Sequence, residues 1–285
     1  MGNFLHRHKG FTPYLLLAPG MLWLAIFFLV PMVFLGYQSL QSGLFPNFHF
    51  TWEWSNFSDA LSGYHTQLIR SFVYAGIATL ACLVLAYPLA YWIAFRAGPW
   101  RNLFLLFIVA PFFVTYLVRT LAWLNILADQ GPVVRVLRDV HILGPNGRLL
   151  ATTFAVIAGI TYNFFPFMAL PLYVSLEQID PSLLEASKDL YASSTQAFLR
   201  VTVPLSMPGI VAGTLLTFIP AAGDFINAAL LGTPNQSMIG NVIQAKFLES
   251  LDYPTAAALS FILMGTIMVM LLIYAKAVGS ERLTG

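Results

Sequence analysis

The chain is short of charge. Asp, Glu, Lys and Arg make up 9% of its 285 residues, against 58% hydrophobic residues. A water-soluble domain carries about 25% charged residues. A chain this apolar cannot cover its own surface with polar groups, so lipid must solvate most of it. The same figures exclude a disordered chain and a nucleic-acid-binding domain, and a net charge of +2 is too small to imply an anionic partner. Cysteine is almost missing as well. Cys82 is the only one and lies in an apolar run, which rules out an intrachain disulfide or a thiolate metal cluster and leaves it as a small core hydrophobe. His6, His8, His49, His65 and His141 are scattered without metal-ligand spacing, so no metal is expected. No G-x-x-x-x-G-K-[ST] phosphate loop, intramembrane protease motif, internal repeat or low-complexity segment is present. With no catalytic residues in sight, the chain reads as a non-enzyme without a cofactor of its own.

What is there are long uncharged runs. A bilayer core of roughly 30 Å needs about 20 apolar residues in a helix. Six segments qualify: residues 14–40, 71–95, 102–128, 149–176, 201–223 and 254–275. The expected fold is therefore all-α and polytopic, with about six transmembrane helices. The apolar run at the N-terminus is longer than a signal core of about 7–15 residues, so it reads as a retained span. Arg119 falls inside the third segment and makes it the least secure. An even number of spans places both termini on one side. Basic residues are densest in the short loops of that side (Arg96, Arg101, Lys188, Arg200), which makes it cytoplasmic, although Arg135, Arg138 and Arg148 lie on the other. Pro31, Pro88, Pro111, Pro166, Pro171 and Pro220 punctuate the spans and can bend them around a pathway.

Between two uncharged stretches, residues 149–176 and 201–223, lies a polar island from Glu177 to Arg200. Asp180-Pro181 reads as a helix start, with Asp180 as N-cap and Pro181 at the first helical position. That helix would run through Leu183, Leu184, Ala186 and Leu190, with Glu185, Lys188 and Asp189 on its polar side. Ser193-x-x-Gln196 fits a capping box, so a second helix should start near Ser194 and run into the fifth span. A helix this short is unstable alone in water. With one Lys and two acids it is also poorly suited to anionic lipid, so a groove on another protein is its better host. Gly209 and Gly213 form a small-xxx-small pattern that lets two helix backbones approach closely.

Glu185-Ala186-Ser187, followed by Ala192 and Pro204, resembles the cytoplasmic "EAA" signature of permease subunits of binding-protein-dependent ABC importers. That signature reads Glu-Ala-Ala, a spaced Gly, then Ile-x-Leu-Pro. Here Ser187 replaces Ala, Tyr191 stands at the Gly position, and Val201-Thr202-Val203-Pro204 supplies the end. If that turn needs a positive φ, Tyr191 is sterically strained there. Residues 81–88, 166–173, 207–213 and 239–243 are similar to the spermidine/putrescine permease branch, and the likeness covers roughly residues 56–275. The resemblance implies a type I importer permease fold. Residues 1–66 would be a cytoplasmic tail, first span and outer loop. Residues 67–276 would form the transmembrane core with a coupling helix at 180–200, and 277–285 a cytoplasmic tail. It also implies a bacterial inner-membrane protein that pairs with a second permease and receives its cargo from an extracytoplasmic binding protein. A separate ATPase dimer, carrying ATP and magnesium, would grip Glu185, Ala186, Ser187, Asp189, Tyr191, Ala192 and Pro204. No nucleic acid is involved.

For the substrate path, Asp224 at the end of the fifth span is either a pathway carboxylate able to attract a polyamine cation or an interfacial charge at a helix end. A carboxylate inside a span costs about 2.5–3.5 kcal/mol, so it usually faces a cavity or a partner. Tyr116, Trp123, Tyr162 and Phe165 sit where they can face a cavity and offer cation–π contacts. Arg119 is a poor ligand for a cation and reads as structural, paired with Asp129 or Asp224. Trp52 and Trp54 fit an outer interface helix. Other cargo on the same scaffold (an inorganic anion, thiamine or iron) and a non-transport membrane scaffold remain the alternatives.

Overall fold

The computed structural model describes residues 12–281. It is helical apart from one antiparallel hairpin, β1 (Gln41–Leu44) and β2 (Asn47–Phe50), paired from Gln41↔Phe50 to Leu44↔Asn47. The first span consists of α1 (Thr12–Leu24), a π-helical turn (Ala25–Leu29) and α2 (Val30–Ser39). Next come α3 (Ser55–Phe95), α4 (Arg101–Val109), α5 (Tyr116–Leu127) and α6 (Pro132–Asp139). α7 (Thr153–Glu177) leads into the polar island, which holds α8 (Pro181–Asp189) and α9 (Ser194–Ala197). A π-helical turn (Phe198–Thr202) joins α9 to α10 (Val203–Ala222), and α11 (Ile226–Leu231), α12 (Ile239–Leu248) and α13 (Tyr253–Glu281) follow.

Among the described residues, five helical stretches are long and apolar enough to cross a membrane: Leu16–Ser39, Ser55–Phe95, Thr153–Glu177, Ser194–Ala222 and Tyr253–Lys276. The sixth expected span is not one helix. The stretch 102–128 breaks between Phe113 and Tyr116, where the chain turns by 98°. Pro111 lies in the 3-10 turn before the break, and Val114 and Thr115 take extended conformations, with ψ of 135° and 146°. A proline contributes no amide to the ladder, and two extended residues end it. Nor is the second span confined to 71–95. Its helix begins at Ser55 and is interrupted at Tyr64 (φ −127°, ψ 15°). Trp52, at φ 54°, and Trp54 lie in the turns before α3 and not in a helix of their own.

The molecule divides into two compact units. One comprises the chain up to Gly63 together with Ala245–Gly265, and the other Tyr64–Gln244 together with the chain from Thr266. In the first, Asn56 Nδ2 donates to the carbonyls of Ser39 (3.0 Å) and Gln41 (2.8 Å), holding the start of α3 against the hairpin. The rings of Phe45, Phe48 and Phe247 surround Tyr253 there.

In the second unit, α7 and α10 pack together most closely, and the sequence shows why. A Cβ at Gly209 would lie 2.6 Å from the Pro171 carbonyl oxygen, and one at Gly213 would lie 2.8 Å from Met168 Sδ. The small-xxx-small pattern thus serves packing within this subunit, backbone against backbone. Cys82 is buried in α3 and donates to the Thr161 carbonyl at 3.3 Å. Its surroundings include Ala86, Ala90, Ile93, Met168, Leu172 and Leu176.

Candidate functional site

The polar island folds much as its capping residues dictate. Asp180 Oδ1 accepts the Ser182 amide at 2.9 Å, and this bond holds the Asp180 carboxyl below the usual carboxylate range. α8 then runs only to Asp189, so Leu190 lies outside the helix and 81% exposed. Among the described side chains of α8 the buried one is Ser187, whose hydroxyl donates to the Leu184 carbonyl at 2.8 Å. The expected apolar face of Leu183, Leu184, Ala186 and Leu190 therefore does not form as a unit.

α8 ends in a Schellman-type cap. The Ala192 amide donates to the Ser187 carbonyl at 3.0 Å across a left-handed residue, Tyr191, at φ 59°. That position usually takes Gly, because a side chain at positive φ is sterically costly. Tyr191 adopts the strained conformation and leaves its ring 97% exposed. Beyond the turn, Ser193 Oγ accepts the Gln196 amide (3.3 Å) and Gln196 Oε1 accepts the Ser193 amide (3.0 Å), completing the capping box. Glu185, Ala186 and Asp189 are exposed, Ala192 is half-buried, and Pro204 sits exposed in the first turn of α10, where its missing amide is harmless. The result is a short, well-capped projection carrying two large bare side chains, Leu190 and Tyr191.

A second cluster lies buried among α5, α7 and α11. Asp224 is 5% exposed and caps α11, with Oδ1 accepting the amides of Ile226 (3.0 Å) and Asn227 (3.4 Å). Its Oδ2 accepts Asn227 Nδ2 at 2.7 Å, and the same nitrogen lies 2.6 Å from the Tyr116 hydroxyl. Because a carboxylate only accepts, it fixes which way the Asn227 amide points. Asn227 Oδ1 then accepts Asn163 Nδ2 at 3.1 Å, and that nitrogen also reaches Thr120 Oγ1 at 3.2 Å. Gly159 makes room for this, since a Cβ there would come within 2.6 Å of Asn227 Oδ1.

Arg119 borders the cluster, 8% exposed, its guanidinium 5.6 Å from the Tyr116 ring and 5.9 Å from the Phe112 ring. Its Nε and Nη1 have no hydrogen-bond partner among the described residues. The expected ion pair is absent, because Asp129 binds Arg148 instead (Nη2–Oδ2 2.6 Å), and among the described residues Arg119 pairs with no acid. Asp129 and Arg148 lie on either side of α6, between α5 and α7, and both side chains are more than a third exposed, so their pairing needs no buried charge.

The aromatic candidates separate. Tyr116 belongs to the polar cluster. Tyr162 and Phe165 line a cavity of about 230 Å³ with Leu89, Phe104, Ile108 and Pro111. Trp123 touches that wall edge-on through Tyr162, with ring centroids 5.3 Å apart at 61°. Sequence reasoning missed Asn163, Asn227 and Thr120, although two amides in otherwise apolar helices are themselves a signal of buried polar work.

The family described as "Binding-protein-dependent transport system inner membrane component" matches residues 86–276. The chain is 38% identical over 259 residues to the spermidine/putrescine transport system permease protein PotB of Escherichia coli (strain K12), covering 90% of this chain and 94% of that protein. In fold it is similar to the crystal structure of a bacterial ABC transporter that imports the acidic polysaccharide alginate, with TM-score 0.75, 18% identity and 99% of each chain covered. A second alginate transporter structure, in complex with an alginate pentasaccharide-bound periplasmic protein, matches with TM-score 0.65 and 18% identity, covering 99% of this chain and 97% of that one. With the family match spanning the core from α3 to α13, the chain belongs to the binding-protein-dependent transport system inner membrane components, as a multi-pass permease.

Proposed function

We propose that this permease forms one half of the translocation path of an ATP-driven importer for a polyamine such as spermidine or putrescine. Its partners are a second permease, an extracytoplasmic binding protein and an ATPase dimer that binds ATP and magnesium. Both termini and the segment 180–200 face the cytoplasm, and the ATPase grips that segment around Glu185, Leu190 and Tyr191.

The observation that carries this reading is the projection itself. A fully exposed Tyr next to a largely exposed Leu, held out by a strained turn and two caps, is a poor surface for water and a good one for a protein groove. The polyamine assignment rests on the likeness to the putrescine and spermidine permease and on Asp224, a carboxylate next to Tyr116 that can attract an ammonium ion. The aromatic wall of Tyr162 and Phe165 suits the methylene chain between ammonium groups.

The test uses the full complex in proteoliposomes. Leu190→Asp and Glu185→Ala should leave the permease inserted while uptake collapses and the ATPase no longer co-purifies. Normal uptake from both variants would contradict the reading. Another cargo on the same scaffold is favoured by one observation, the buried unpaired guanidinium of Arg119, which suits an anion. Uptake of sulfate or another small anion, with polyamine uptake unaffected by Asp224→Asn, would establish that reading.

A further inference from the structure

The polar segment is fastened to the transmembrane helices at both ends, and the two fastenings differ in kind. At its entry, Glu177, the last residue of α7, pairs with Arg101, the first residue of α4. Both side chains are more than a third exposed, so solvent screens the pair. At its exit the contact is aromatic. Phe198, directly after α9, meets Tyr87 (centroids 5.5 Å apart, 84°) and Tyr91 (5.8 Å, 79°) edge to face. Tyr87 and Tyr91 stand one turn apart on α3, with Pro88 between their levels. Pro88 offers no amide to the turn before it, so the end of α3 as far as Phe95 can tilt about that point. A second tie lies close by, where the Tyr87 hydroxyl and Ser206 Oγ are 2.8 Å apart.

Phe198 also opens the π-helical turn Phe198–Thr202, in which the Thr202 hydroxyl is buried without a partner among the described residues. Single π turns mark places where a helix carries a functional irregularity. Because Gly209 and Gly213 lock α10 onto α7, a push on the segment between them cannot be absorbed by sliding these two helices apart. It must be passed on. Two rings meeting a third at right angles form a notch that resists displacement in either direction along α3.

We propose that Phe198 is the positioning residue that delivers displacement of the segment 180–200 to the inner end of α3, with Pro88 as the pivot. This rests on the reading that an ATPase grips the segment. Phe198 itself touches neither nucleotide nor cargo.

The experiment measures cargo transported per ATP hydrolysed by the complete reconstituted complex. Phe198→Ala should lower that ratio by about three- to thirtyfold while hydrolysis continues, and Phe198→Tyr or Phe198→Trp should restore it. Phe198→Leu, which keeps bulk but loses the ring edge, provides the same test if the alanine variant fails to assemble. A double-mutant cycle of Phe198→Leu with Tyr91→Leu should be non-additive in the same ratio. A normal ratio in both Phe198→Ala and Phe198→Leu overturns the proposal, as does a proportional fall of uptake and hydrolysis, which marks a merely structural defect. Leu190→Asp and Tyr191→Asp separate the two levels. If they uncouple the complex while the Phe198 variants do not, the joint alone fails. If they leave ATPase attachment untouched, the gripped-segment reading fails and the joint falls with it.

Discussion

The segment around Tyr191 leaves its largest side chains in the open, whereas the cluster around Asp224 hides a carboxyl group behind amides. Each arrangement is costly in its own way. The first tolerates backbone strain and exposed apolar surface and holds them with caps at both helix ends. The second tolerates a carboxylate in an apolar setting and satisfies it with donors from α11 and α5. Such strain and such burial persist where a partner or a ligand makes use of them. The contrast predicts that substitutions at the supporting residues of the cluster, Asn227 and Gly159, damage stability first and transport as a consequence. Substitutions at the projection should damage transport with little effect on stability.

The largest stability effect is expected from Asn227→Leu. It strips the Nδ2 donor from Asp224 and the Oδ1 acceptor from Asn163 and disturbs Tyr116, and each buried polar group left unpaired costs about 1–3 kcal/mol. Thermal melting in detergent should show the loss, and a wild-type melting point would mean that the cluster is not structural. Gly159→Ala comes next. Its new Cβ would lie 2.4 Å from Leu231 Cδ1 and 2.6 Å from Asn227 Oδ1, and overpacking of this kind costs about 1–3 kcal/mol.

Leu190→Asp should fall within about 0.5 kcal/mol of wild type yet abolish coupled uptake. If it melts early, the two regions are not as different as the comparison requires. Tyr191→Gly sharpens the contrast further. It relieves a left-handed strain of about 1–2 kcal/mol but gives back part of that gain to backbone entropy. The variant should therefore be slightly more stable and still weaker in gripping the ATPase, a separation that deletion of a simple contact would not produce.

The smallest effect concerns pH. The Asp180 carboxyl is held below its unfolded value by the Ser182 amide. Its contribution to the start of α8 is therefore fully present above the unfolded carboxylate value and is lost as pH falls through the lower, folded one. Uptake should be insensitive to this group near neutrality. Protection of the Ser182 amide should fall only in acid in the wild type, whereas in Asp180→Ala it should be lost at every pH.

Much of this was legible in the residues, because caps and close-packing glycines act locally. Asp180-Pro181, Ser193-x-x-Gln196 and Gly209-x-x-x-Gly213 each specify their own geometry within a few residues, and each is found as read. The importer permease fold was equally legible from the uncharged runs and the Glu185 signature. The break of the third span was not, because Pro111 in a membrane helix is compatible with a bend or a straight continuation, and long-range packing decides. The acid partner expected for Arg119 was misplaced for a related reason. Asp129 has Arg135, Arg138 and Arg119 nearer in sequence, and only the fold places Arg148 beside it. The Asp224 network was hidden because Asn163 and Asn227 lie 64 residues apart and nothing local announces their meeting.

The central claim, that Tyr191 stands at a grip for the ATPase, has a direct test. Cys82 is the only native thiol in the chain and is buried, so Tyr191→Cys introduces the sole exposed one. In the assembled complex a short bifunctional reagent should link residue 191 to the ATPase, with a yield that changes on ATP binding. Labelling of Tyr191→Cys from the extracytoplasmic side of intact cells, with no link to the ATPase, would contradict the account.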